Sequence, residues 1–105
     1  MSALDLLKKL PSAFNPEAAT GTSCVVQFAV STPAYVTLND GRCSLSEGTT
    51  DQADVTLTME DDDLVALLRG ELNGMTAFMT GKLQLDGDML LAQRFMGFFD
   101  PAKLA

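Results

Sequence analysis

Histidine and tryptophan are absent from this 105-residue chain, tyrosine occurs once and cysteine twice. Without histidine there is no His-based catalytic triad and no His-containing metal site. The two thiols, Cys24 and Cys43, fall at alternating apolar positions of strand-like segments. Such positions suit core residues; a redox pair or a reactive nucleophile is the alternative. Basic residues are scarce, with seven Lys and Arg against 14 Asp and Glu and a formal charge of −7. That sign repels phosphate backbones and anionic lipid surfaces, so nucleic acid is not an expected partner. Lys8-Lys9 is too small a cluster to reverse this and reads as a solvated helix face. No apolar run approaches the roughly 20 residues of a membrane span, so no stable membrane insertion is expected. The opening MSALDLLKKLPSAF lacks the basic segment, long apolar run and cleavage site of a signal peptide, which makes the cytoplasm the expected location.

What the chain does have is 47% hydrophobic and 20% charged residues, a composition that folds, and residues 1–105 read as one domain. ALDLLKKL has the period of a short amphipathic helix, stopped at Pro11. In NPEAA, Asn15 is a candidate N-cap with Pro16 at the first helical position, predicting a second helical turn closed by Gly21. From Cys24 the period becomes two: Cys24, Val26, Phe28 and Val30 share a face. AYVTL and RCSLS flank NDG, the signal of a tight hairpin, so three strands form an antiparallel meander. DVTLTM makes a fourth strand, with Val55, Leu57 and Met59 inward.

In EDDDLVALLRG, four acids precede a helix that ends in Arg69-Gly70, in agreement with the macrodipole and with C-terminal capping. The run Glu60 to Asp63 lacks the alternating spacing and glycine of a calcium loop, so capping is preferred to metal binding. GMTAFMTG reads as a short helix and KLQLD as a fifth strand, with Leu83 and Leu85 inward. The last helix is expected over 89–99, after a capping Asp86 or Asp88 and up to Asp100-Pro101.

That last helix carries surplus apolar surface. On a helical wheel Met89, Leu91, Ala92, Phe95, Met96, Phe98 and Phe99 spread over about half of the circumference, while Gln93, Arg94 and Gly97 share the rest with Leu90. Covering a sheet needs a stripe only somewhat over about 100° wide. The helix is therefore wedged within the core, or supplies a homodimer face, or walls a cavity for an apolar guest. Six Met and six Phe against one Tyr describe an interior that adapts to its contents and forms few hydrogen bonds.

Residues 53–95, ADVTLTMEDDDLVALLRGELNGMTAFMTGKLQLDGDMLLAQRF, carry in order Ala77-Phe78, Gly81-Lys82-Leu83, Gly87-Asp88-Met89 and Leu91-Ala92. That ordered set resembles the sterol carrier protein 2 (SCP2) family; the hairpin AYVTLNDGRCSLS matches more loosely. The resemblance implies an α+β fold: a five-stranded, mainly antiparallel sheet covered by about four to five helices around a hydrophobic tunnel. It implies a non-enzymatic lipid-binding and transfer function for a fatty acid or acyl chain, acyl-CoA or a sterol-like lipid, with no cofactor and no metal. Expected lipid-binding wall residues are Val55, Leu57, Leu67, Phe78, Leu83, Leu85, Met89, Phe95, Met96 and Phe99, each of which also reads as plain core. The alternative function is an accessory factor presenting a hydrophobic intermediate, such as a ubiquinone precursor, to biosynthetic enzymes. An enzyme using Cys24, Cys43, Asp86 or Asp88 is a third reading, disfavoured by the missing histidine. Eukaryotic members often end in a peroxisomal tripeptide; Ala102-Lys103-Leu104 resembles it, but Ala105 follows, so a bacterial-type cytoplasmic protein is expected.

Overall fold

The computed structural model describes residues 3–18, 21–100 and 103. Of the Ala102–Ala105 stretch only Lys103 is therefore described, and Ala19 of NPEAA also lies outside.

The hairpin fixes the register of the sheet. Asp40 (φ 51°) and Gly41 (φ 78°) both adopt left-handed backbone, as the primed turn that joins twisted antiparallel strands requires. It places β2 (Ala34–Asn39) and β3 (Arg42–Glu47) with Asn39 opposite Arg42, Leu38 opposite Cys43 and Val36 opposite Leu45. β1 (Cys24–Ala29) pairs antiparallel with β2, and β4 (Val55–Thr58) pairs antiparallel with β5 (Gln84–Gly87). The predicted meander is present. The two hairpin halves meet through β1 and β4, which run parallel, giving the order β3-β2-β1-β4-β5. Period-two alternation cannot distinguish a parallel neighbour from an antiparallel one.

The helices cover one face, over Cys24, Val26, Phe28, Val36, Leu38, Val55 and Leu57, all buried. They are α1 (Ala3–Leu7), α2 (Leu10–Ala13), α3 (Asp61–Leu68), α4 (Gly74–Met79) and α5 (Met89–Phe95), followed by a 3₁₀ turn over Met96–Phe98. The fold is α+β, with a mostly antiparallel five-stranded sheet. α1 packs against α3, so Leu6 and Leu7 are fully buried beside Leu64 and Leu68. Each such side chain contributes about 1.5–3 kcal/mol by leaving water.

Several expected boundaries move, each for a local reason. α1 ends at Leu7, and Pro11 lies in the first turn of α2 rather than only stopping a helix; there its missing N–H is one no helical carbonyl would have used. Pro16–Ala18 form a turn instead of a helix, with Asn15 Oδ1 accepting from Glu17 N at 3.1 Å. β5 begins at Gln84, so Leu83 precedes the strand. The last helix is not continuous to 99: the α-helix gives way at Phe95, before Gly97, and Phe99 is extended in a bridge to Phe14. The Asn15 N–H donates to Phe98 O at 2.7 Å, taking a carbonyl that a longer helix would use.

Candidate functional site: an apolar cavity beside the sheet

Where the α-helical cover leaves β4 and β5, a cavity of about 460 Å³ opens. Its floor is Leu57 and Leu85, opposite each other across the β4–β5 ladder, with Leu83 next to them. One side is Leu67 of α3 and Leu72 of the loop that follows. α4 presents Met75 and Phe78, and α5 presents Met89, Ala92 and Gln93. The spacings i, i+3 and i, i+3, i+4 put each group on one helix face.

The α3–α4 connection shapes the mouth. Gly70 (φ 78°) turns the chain after Arg69, and Gly70, Asn73 and Gly74 all border the cavity. Asn73 caps α4: its Oδ1 accepts from Met75 N at 2.8 Å and Thr76 N at 3.3 Å. Across the cavity, Asp88 Oδ1 accepts from Leu91 N at 3.0 Å and starts α5. Outside the lining, Met79 at the end of α4 is 77% and Leu90 of α5 72% exposed.

Of the ten wall residues expected from sequence, Leu57, Leu67, Phe78, Leu83, Leu85 and Met89 border this cavity. Val55, Phe95 and Phe99 lie instead in the buried core. Phe95 is the hub there, its ring centroid 5.9 Å from Phe28, 6.4 Å from Phe98 and 4.9 Å from Phe99. The side chain of Met96 is outside the described residues. Sequence reasoning missed Leu72, Met75, Asn73, Ala92 and Gln93. Two carried a signal: Met75 is one turn before Phe78, and Ala92 one turn after Met89.

The third reading, chemistry at the thiols, finds little support in the geometry. Cys24 and Cys43 flank Leu38 across two strand spacings, about 10 Å, beyond the ~7 Å reach of a disulfide. Burial, followed by the nearby Asp54 carboxylate, pushes Cys24 up to about 11; burial, followed by Cys24, pushes Cys43 up to about 11. Neither borders the cavity. The acidic run is differently used than expected. Glu60, the N-cap of α3, makes no side-chain cap bond. Asp61 accepts from Ser31 N at 3.0 Å and from Ser31 Oγ, and these bonds lower its carboxyl from the ordinary 3.8. Among the described residues no group of three His, Cys, Asp or Glu could hold a metal ion, and no helix is long and apolar enough to cross a membrane.

One-sided sheet, helical cover and lateral apolar cavity define a class: small α+β domains built around an internal pocket. Within it, the chain belongs to the SCP-2 sterol transfer family, whose model matches residues 4–100. Lipid and sterol binding and transfer is the role of that family. Bovine (Bos taurus) sterol carrier protein 2 is 42% identical over 59 residues, which are 56% of this chain and 11% of that protein. The chain thus spans only about a tenth of the length of such curated relatives. Palmitated SCP2L2 from Aedes aegypti superimposes with a TM-score of 0.74 at 23% identity, over 92% of this chain and 93% of that one. A ubiquinone synthesis protein, UbiJ-SCP2, shares the fold with a TM-score of 0.63 at 18% identity, over 90% and 79% of the two chains.

Proposed function

We propose that this single domain is a non-enzymatic carrier that holds one acyl-type lipid between β4, β5, α4 and α5. The cavity carries the reading. An engineered void of about 150 Å³ takes up benzene, or about 25 Å³ per carbon; by that ratio 460 Å³ suits roughly eighteen carbons, one fatty acyl chain. A bulkier sterol-like lipid would project from the mouth. In this reading Leu57, Leu67, Phe78, Leu83, Leu85 and Met89 grip the chain, while Val55, Phe95 and Phe99 hold the sheet and α5 apart. The driving force is about 25 cal/mol for each Å² of apolar surface removed from water. Two unpaired thiols accord with a reducing, cytoplasmic setting.

The test is native mass spectrometry of the protein as purified, followed by displacement of a bound neutral dye by added lipid. One lipid per chain is expected. Leu72→Trp, which fills the cavity from a partly buried loop position, should lower lipid occupancy while the fold persists. A protein that carries no lipid and takes up none overturns the proposal.

A second reading is favoured by the exposure of Met79 and Leu90. It makes these side chains contact points, for a second copy through the C-terminal helix or for enzymes to which the domain presents a hydrophobic intermediate such as a ubiquinone precursor. Doubled mass in the native spectrum, or co-purified enzymes with an isoprenoid quinone in the extract, would support it.

A further inference from the structure

This inference rests on the carrier reading and concerns the head group of the lipid. Asn73 and Gln93 are the polar side chains of the lining, and both are exposed, as are Met75, Phe78 and Met89, so a bound head group can meet them in contact with solvent. Asn73 is oriented: the α4 amides occupy its Oδ1, which leaves the Nδ2 hydrogens without a partner among the described residues. Gln93 offers a donor and an acceptor in one side chain.

The cations nearest in sequence do not supply an anion site. Arg94 lies with its guanidinium 6.0 Å from the centre of the Phe98 ring. Arg69, the C-cap of α3, is outside the lining, and its Nε is buried with no hydrogen-bond partner among the described residues. Lys82 is exposed and outside the lining, whereas Glu71, also exposed, sits between the lining residues Gly70 and Leu72. The whole chain carries −7. A polyanionic head at this mouth meets carboxamides and a repulsive field; a hydroxyl, amide or phenol meets matching donors and acceptors.

We infer that the cavity is specific for single-chain lipids with an uncharged, hydrogen-bonding head, which the carboxamides of Asn73 and Gln93 select over acyl-CoA and other anionic heads.

Dodecanol, dodecanoate and dodecanoyl-CoA, each displacing Nile red from the full chain at low and high salt, test this. Dodecanol should bind about tenfold more tightly than dodecanoyl-CoA at low salt, and the gap should narrow as salt screens the field. Gln93→Lys, at an exposed position, should raise dodecanoyl-CoA affinity several-fold and, having lost the carboxamide acceptor, weaken dodecanol binding. Asn73→Asp keeps the capping oxygen but loses the donor, and should weaken dodecanol binding several-fold. Dodecanoyl-CoA binding as tightly as dodecanol at low salt, or a Gln93→Lys protein with unaltered preferences, overturns the head-group assignment alone. Binding of none of the three overturns the carrier reading and this inference with it.

Discussion

Gln27 is the buried polar residue of the described core, on the sheet face away from the helices. Its carboxamide holds the loop after β3: Nε2 donates to Ala34 O at 3.0 Å and Gly48 O at 3.1 Å, and Oε1 accepts from Thr50 N at 2.8 Å. Replacing it by Leu takes a partner from two carbonyls and an amide that are at least partly shielded from water, at a cost of about 1–3 kcal/mol. Urea unfolding should show the lower midpoint, with lipid binding unchanged. The thiols make the opposite case, of side chains with little to do. Their raised values mean that the stability they allow is fully present below the ordinary 9.0 and is lost as pH rises towards about 11. Native protein should therefore resist iodoacetamide at neutral pH and react on unfolding. A Cys24→Ala/Cys43→Ala protein should bind lipid as before.

At the scale of elements, the motif glycines acquire physical reasons. Gly87 (φ 117°) ends β5 so close to the chain before β4 that a Cβ there would stand 2.4 Å from Asp54 O and 2.9 Å from Val55 Cα, both backbone. Gly87→Ala should cost more than about 2 kcal/mol, read as a lower thermal midpoint. Gly81 (φ 81°) ends α4 in the left-handed backbone that favours glycine. Ser31 and Asp61 tie the end of β1 to the start of α3. The depressed Asp61 carboxyl stabilises the fold above the ordinary 3.8, and this contribution is lost as pH falls through its folded value. Ser31→Ala should shrink the acid-side loss of stability. The strands, the hairpin and α3 were legible in the sequence because alternation, Asp-Gly and an acidic first turn are local signals. The break at Phe95 was not, because it depends on Phe14 and Asn15 meeting residues some eighty positions away. For the same reason the wheel could say that the last helix had too much apolar surface, but not that Phe95 and Phe99 spend it on one another rather than on the cavity.

On the scale of the whole molecule, the central β1–β4 pair joins distant parts of the chain, whereas the cavity is built from residues 57–93 alone. The helical wall facing the floor is smaller still. Glu71 and Leu72 donate to Ala66 O, Ala77 to Asn73 O, and Leu83 to Ala77 O; these backbone bonds stay within 66–83 and, among the described residues, reach no strand. Glycines in left-handed backbone, Gly70 and Gly81, stand at either end. A segment whose backbone bonds run to itself and to the end of α3 can open without breaking the sheet. In hydrogen exchange, the amides of α4 should open at a free energy well below that of β1 and β4, and bound lipid should slow them while leaving the strands unchanged. The same local bonding that made this stretch readable as a motif would then let the wall act as a door, with its opening rate setting how quickly a lipid is exchanged.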